Sequence, residues 1–432
     1  MLMKVIKLRS SAGRRDLEKL LHRGEPDDRR VEQKVRAILD DVRARGDAAV
    51  SRYTKQFDKA TLSPKRFLVT VEERAAALAK TDPKVVDALR FAADRIYAFH
   101  SKQSSHSWSY EEGGVTLGQH LRPLASAGLY VPGGKAAYPS SVLMNGIPAK
   151  VAGVERVVMC TPAPKGEMNP YVLVAADLVG IHEVYRIGGV QAIGAMAYGT
   201  KTIRRVDKIV GPGNAFVATA KRLVYGTVDI DMIAGPSEIL IIADETATPS
   251  HIAADILSQA EHDEDAWTIL VAPSDGFLKK VQKEIVLQVA KLARRKIAEA
   301  SLKHRGVAVV VTEILDAIAF ANDVAPEHLE LAIERPYKVL KHVKNAGSIF
   351  LGHHTPQALG DYVAGPNHVL PTGGTARFFS PLSVDDFTKK SGLIAFSQDA
   401  LRRFSDKVVQ IARVEGLGAH AEAVDIRMRP ED

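Results

Sequence analysis

Two series of short β-rich runs, each separated by helical stretches, predict an α/β protein: two doubly wound parallel sheets, a helical N-terminal segment and a small C-terminal tail. The first series is Val157-Val158-Met159-Cys160, Glu183-Val184-Tyr185-Arg186 and Lys208-Ile209-Val210. The second is Ile239-Leu240-Ile241-Ile242, Thr268-Ile269-Leu270-Val271, Val307-Ala308-Val309-Val310-Val311 and Ser348-Ile349-Phe350-Leu351. Between them the turn formers Ala234-Gly235-Pro236 mark a boundary.

Taken in order, residues 1 to 100 read as mostly helical. Val31, Val35, Ile38, Leu39 and Val42 recur at helical spacing until Gly46, and Asp82 with Pro83 opens a second helix carrying Val86, Leu89, Ala93 and Ile96. Trp108 and Tyr110 begin a polar passage before the apolar run Leu129-Tyr130-Val131, which ends in Pro132-Gly133-Gly134. Helices are expected over 249 to 262 and 275 to 298, and beyond about residue 380 a helical tail with one apolar strand, Leu393-Ile394-Ala395-Phe396.

Composition narrows the function. Of 432 residues 46% are apolar, enough for full cores in two or more domains. The net charge of +7 is spread over scattered Lys and Arg without a nucleic-acid module, so no nucleic-acid partner is expected. The single cysteine, Cys160, excludes an internal disulfide and a multi-thiolate metal site. With no signal-peptide pattern and no apolar run that could span a bilayer, the expectation is a cytoplasmic protein without a membrane partner.

Ligands of doubly wound sheets bind at the carboxyl ends of the strands. Three glycine turns fall there: Tyr130 to Gly134, Gly188-Gly189-Val190-Gln191-Ala192-Ile193-Gly194, and Val210-Gly211-Pro212-Gly213-Asn214. They suit phosphate-bearing ligands, and equally serve as tight strand-to-helix turns, since none fits G-x-G-x-x-G. Cys160, at a strand end, reads as a buried inert thiol, with a covalent nucleophile as the other possibility.

Gln259-Ala260-Glu261-His262 places Gln259 and His262 three apart on one helix face, with Asp361 and His420 in later segments. Oxygen and nitrogen donors without thiolate suit zinc or a similar divalent ion, although a polar helix face alone has the same pattern. His368 lies in a loop dense with turn formers, Gly365-Pro366-Asn367-His368-Val369-Leu370-Pro371. In Asn322-Asp323-Val324-Ala325-Pro326-Glu327-His328, the proline stops a helix and biases Ala325 toward extended geometry. Glu327 and His328 then start a strand with side chains expected to diverge, either as a surface ion pair or as two groups serving different steps.

Gly128 to Gly134, Val210 to Asn214, Ala234 to Glu238, Gln259 to His262, Ala325 to His328, Gly360-Asp361-Tyr362, Asn367 to Thr372 and Glu415-Gly416-Leu417-Gly418-Ala419-His420 follow one another in family order, and by them the chain resembles histidinol dehydrogenase over nearly its whole length. The resemblance implies two-step oxidation of L-histidinol to L-histidine by NAD, the last step of histidine biosynthesis. It also implies a homodimer of two incomplete Rossmann-like domains plus accessory parts, with active sites shared between subunits. Zinc would be held by Gln259, His262, Asp361 and His420, and these four, with Ser237, His328, His368 and Glu415, would contact substrate. Tyr130, Gln191 and Asn214 would contact NAD.

The domains expected are an N-terminal segment 1–25, an α/β domain of 26–127 with 236–380 carrying most zinc and catalytic residues, an NAD-associated domain 128–235, and a dimerisation tail 381–432. His328 is expected as the base for the alcohol and Glu327 as the base that activates water on the aldehyde. The competing readings are a zinc hydrolase using Glu327 and an aldehyde dehydrogenase routed through a thiohemiacetal on Cys160.

Overall fold

The structure, a computed structural model, describes residues 2–6, 11–24, 29–133 and 137–429. Its strands in chain order are β1 (Lys4–Ile6), β2 (Trp108–Glu112), β3 (Val115–Pro123), β4 (Ser126–Tyr130), β5 (Arg156–Cys160), β6 (Glu183–Tyr185), β7 (Lys208–Val210), β8 (Asp229–Ile230), β9 (Glu238–Ala243), β10 (Trp267–Ala272), β11 (Gly306–Val310), β12 (His328–Ala332), β13 (Ser348–Leu351) and β14 (Thr388–Phe396). All the runs expected from sequence are strands; β1, β2, β3 and β8 are additional.

Two parallel sheets form the larger of two compact units, residues 1–103 with 124–387. The five-stranded sheet runs β6-β5-β4-β7-β8, and the six-stranded sheet runs β1-β11-β10-β9-β12-β13. In each, the chain steps outward through three strands and then returns to the other side of the first. Each sheet therefore has a topological switch point, β4/β7 in one and β9/β12 in the other.

Side chains alternate between the two faces as the pleat requires. On β9, Ile239 and Ile241 enter the core beneath helices Pro249–Ala260 and Asp275–Val289, while Leu240 and Ile242 pack with helix Ile314–Val324. On β5, Val158 and Cys160 face one core and Val157 and Met159 the other. The expected helix 275 to 298 is two helices, Asp275–Val289 and Arg295–Arg305.

The helices between residues 29 and 103 pack on the five-stranded sheet, which corrects the expected grouping of 26–127 with 236–380. Helices Gly189–Tyr198 and Pro139–Ala152 are buried on every side, from Val190 to Ala197 and from Ser141 to Ala149. A helix apolar all round needs a second cover. Val35, Ile38, Leu39 and Val42 supply it on one face, and Ala92 and Ile96 on the other. Residues 2–6 and 11–24 likewise go with the six-stranded sheet, since β1 is its edge strand beside β11 and Leu20 lies in its core.

The smaller unit comprises 104–123 and 388–432, so the tail includes a hairpin from mid-chain. Its antiparallel sheet, β14-β3-β2, accompanies helices Gln398–Val414 and Gly418–Asp425 around a few apolar residues, Val409, Ala412 and Ala421.

Candidate active site

Helix Ile314–Val324 ends in a left-handed residue, Ala325 (φ 47°, ψ 65°), whose N–H donates to Ala321 O at 2.8 Å. The extended Ala325 expected from Pro326 is thus corrected: the helix cap claims its amide, and the left-handed turn reverses the chain into β12. Glu327 precedes the strand and His328 begins it, between β9 and β13. Both sit at the amino end of the six-stranded sheet, beside Ser237 and Glu238 at the start of β9. Only the glycine turns of the five-stranded sheet lie at carboxyl ends.

The two side chains converge, contrary to the divergence expected from strand alternation. Glu327 lies before the paired strand and is exempt from its pleat. Its Oε2 accepts from the Glu238 amide at 2.7 Å and the Ser237 hydroxyl at 2.8 Å, and lies 3.5 Å from His328 Nδ1. His328 Nδ1 lies 2.9 Å from Glu238 O, which can only accept, so Nδ1 carries the proton. Nε2 then presents a lone pair; it has no hydrogen-bond partner and lies 3.8 Å from Asp361 Oδ1.

Burial sets the protonation states. It pushes the Glu327 carboxyl well above the ordinary range, against the lowering effect of its two hydrogen bonds. It pulls the His328, His262 and His368 imidazoles below theirs, so all three favour the neutral form. A raised carboxyl beside a neutral imidazole with one free nitrogen is a pair suited to proton transfer.

His262, Asp361 and His368 lie close to His328. Gln259 ends a buried helix, and His262 lies in the turn beyond it, its N–H on Gln259 O at 3.2 Å. Neither polar atom of the fully buried Gln259 carboxamide has a partner. Asp361 Oδ2 accepts from Gln357 at 3.1 Å, and Asp361 O accepts from His368 Nδ1 at 2.9 Å. A cavity of about 280 Å³ opens beside His262, walled by Tyr138, Ser140, Glu261, Arg294 and Tyr362. Among the described residues, no group of three or more His, Cys, Asp and Glu is arranged to hold a metal. Gln259 falls outside those residue types, and its unsatisfied carbonyl oxygen, with neutral His262 and the Asp361 carboxylate, forms a donor set that fits a divalent ion.

At the five-stranded sheet, the Tyr130 hydroxyl accepts from the Gly189 amide at 3.0 Å, tying the β4 and β6 turns together. Gln191 is fully buried with both side-chain polar atoms unpartnered. Asn214 Oδ1 caps helix Ala215–Val224, accepting from Phe216 and Val217 amides at 3.1 and 3.2 Å, which leaves its amide donor for other work. Gly211 (φ 108°) admits no side chain, since a Cβ there would stand 2.1 Å from Tyr130 O. Gly134 lies outside the described residues. Cys160 is fully buried and its thiol is pushed up to about 12 by desolvation, which removes it as a nucleophile.

Glu415 and His420 belong to the smaller unit, and both are exposed. Two residues went unread in the sequence. Glu238, quoted only as part of a motif, holds Glu327 and His328 through its main chain, and its buried carboxylate pairs with Arg23. Their separation of 215 residues leaves no local signal.

The histidinol dehydrogenase family model matches residues 21–428. Histidinol dehydrogenase of Geobacter sulfurreducens is 53% identical over 429 residues, covering 99% of this chain and 100% of that one. The enzyme of that name from Clostridium acetobutylicum is 51% identical over 430 residues, 99% of each chain. A crystal structure of histidinol dehydrogenase from Elizabethkingia anophelis superposes with a TM-score of 0.92 at 38% identity, covering 99% of this chain and 98% of that one.

Proposed function

This chain belongs to the histidinol dehydrogenase family, and from that premise we propose that it is a cytoplasmic, NAD-dependent enzyme of histidine biosynthesis that oxidises L-histidinol to L-histidine through histidinal. The overall change is one alcohol, one water and two NAD giving one carboxylate, two NADH and three protons. NAD, when bound, would supply the hydride acceptor for each oxidation. Zinc would be held by Gln259, His262, Asp361 and the partner subunit's copy of the tail histidine, at the position of His420, and would supply a fixed anchor for the substrate.

The observation that carries the reading is the shared seat of Glu327 and His328 on the Glu238 peptide, with His328 Nε2 bare. In the first oxidation, neutral His328 takes the hydroxyl proton at Nε2. In the second, Glu327 in its ionised form takes a proton from the water that adds to histidinal, giving the hydrate from which the second hydride leaves. Ser237, His368 and Glu415 bind the substrate. The crowded setting of Glu327 and His328 keeps bulk water from competing protons.

Tyr130, Gln191 and Asn214 bind NAD. The unpartnered Gln191 amide and the free Asn214 amide donor support that assignment. The tail supports a homodimer with shared sites: Leu393, Ile394, Val408, Ile411, Val414 and Ile426 are all exposed on a unit with little core of its own. Among the described residues no helix is long and apolar enough to cross a membrane.

The deciding experiment is NADH formed per histidinol consumed, before and after chelation and zinc readdition. Two NADH per histidinol, lost with chelator and restored by zinc, is the expected result. One NADH with histidinal released, or hydrolysis of an amide or ester without NAD, overturns the reading.

A further inference from the structure

We propose that Arg23 is a positioning residue for the catalytic pair: its guanidinium holds the Glu238 carboxylate, and the Glu238 main chain holds Glu327 and His328. The inference rests on the reading of those two residues as the bases and adds a residue far from them in sequence.

The Arg23 fork engages both carboxylate oxygens of Glu238, Nε on Oε2 and Nη2 on Oε1 at 2.8 Å, with side-chain exposures of only 1% and 0%. Oε1 also accepts from the Gly373 amide at 2.9 Å. Arg23 further donates to Leu20 O at 3.0 Å and to Val324 O at 2.9 Å. Val324 ends the helix that leads through Ala325 and Pro326 to Glu327. Arg23 therefore fixes Glu327 along two routes, from its amide donor Glu238 and from the chain that delivers it.

A backbone contact locks the arm in place. A Cβ on Gly24 would stand 2.3 Å from Gly373 O, so the chain after Arg23 lies directly on the 372–374 loop. An apolar pair of similar volume would stabilise the fold about as well as a buried ion pair, because desolvation offsets the Coulombic gain. What the planar fork adds is geometric definition of the carboxylate it holds.

The test is kinetics of both half-reactions, from histidinol and from histidinal, for Arg23→Met and Arg23→Lys in the full dimer. A displaced Glu238 peptide disturbs both bases at once, so kcat should fall roughly 10- to 100-fold in both halves for Arg23→Met. KM for histidinol should change less than kcat, because Arg23 reaches the substrate contacts Ser237 and His328 only through Glu238 and makes no hydrogen bond to Gln259, His262, Asp361 or His368. Arg23→Lys, a point charge without the fork, should show a smaller loss of the same pattern. A folded Arg23→Met with wild-type kcat overturns the proposal, as does a raised KM with unchanged kcat. If Arg23→Met does not fold, Arg23→Lys and Glu238→Gln decide by the same criteria. Glu327→Gln separates the premise from the inference. It should spare the first half-reaction and slow the second. If it slows neither, the role given to Glu327 fails, and the Arg23 proposal is then judged on the first oxidation alone, through His328.

Discussion

Lys221→Met should be among the most damaging single substitutions outside the Glu327 and His328 pair. Lys221 and Asp231 form a contact ion pair with side-chain exposures of 2% and 0%. Together they clasp one residue of the third glycine turn. Lys221 Nζ donates to Gly211 O at 2.8 Å, and Asp231 Oδ2 accepts from Gly211 N at 2.7 Å. Methionine fills the lysine's volume but leaves the Asp231 carboxylate buried without its counter-charge, a loss of about 3–5 kcal/mol. In Lys221→Met with Asp231→Asn no charge is stranded, and the remaining costs are the unanswered Gly211 carbonyl and one of the Gly211 and Met232 amides, which the carboxylate accepts on its two oxygens and asparagine's single oxygen cannot both satisfy, about 1 kcal/mol or more each. The double variant should therefore be more stable than the single by about 1 kcal/mol. Urea unfolding of the two variants and wild type measures this directly. Since the clasp sets the turn that delivers Asn214, KM for NAD should rise in both variants with KM for histidinol unchanged. Equal stability of single and double variants, or a single-variant loss below about 1 kcal/mol, would refute the argument from a stranded charge.

Cys160→Ala should cost about 1 kcal/mol and leave both oxidations running, because the fully buried thiol acts only as a small packing group; loss of histidinal turnover in the folded variant would restore the thiohemiacetal route. Refolding Glu327→Ala with His420→Ala as a mixture should recover about one quarter of wild-type activity, since half the dimers are hybrids with one intact site. No recovery, with hybrids present, would place the two residues of a site on one chain. Glu330 and Asp255 form a carboxyl pair between β12 and helix Pro249–Ala260; burial raises both, and for Glu330 the neighbouring Asp255 raises it further. The fold thus favours their protonated forms, so the stability they contribute is full below the unfolded pKa and is lost as pH rises through the folded values. Glu330→Gln should flatten that decline, measured as urea midpoints from about pH 4, the unfolded carboxyl range, upward; an unchanged decline would mean that other groups cause it.

Strand runs that are buried on both faces announce themselves as continuous apolar stretches, which is why β5, β9, β10 and β11 could be placed from residues alone. β1 is only three residues long and β2 is exposed throughout, so neither leaves an apolar trace. The helix and proline before Glu327 announced the start of β12, yet the left-handed Ala325 did not follow from local preference, because a cap hydrogen bond outweighed it. The glycine turns were visible, while the Lys221 and Asp231 clasp behind the third was not, since a buried charge looks like any other in a chain. The grouping of the early helices failed for a similar reason: an apolar stripe shows that a helix packs, not against which sheet.

The contact between Gly24 and Gly373 also bears on the order in which the molecule is made. Residue 373 is synthesised roughly 350 residues after residue 23, about 20–70 s later at ordinary elongation rates. Until then Arg23 has neither Glu238 nor the 373 loop to bind, and β1 has no β11 to pair with. The five-stranded sheet, closed by residue 230, can assemble during that interval. Arg23 is thus made long before the partners it docks on, and the Glu327 carboxylate gains its final support only once the loop at residue 373 has been added.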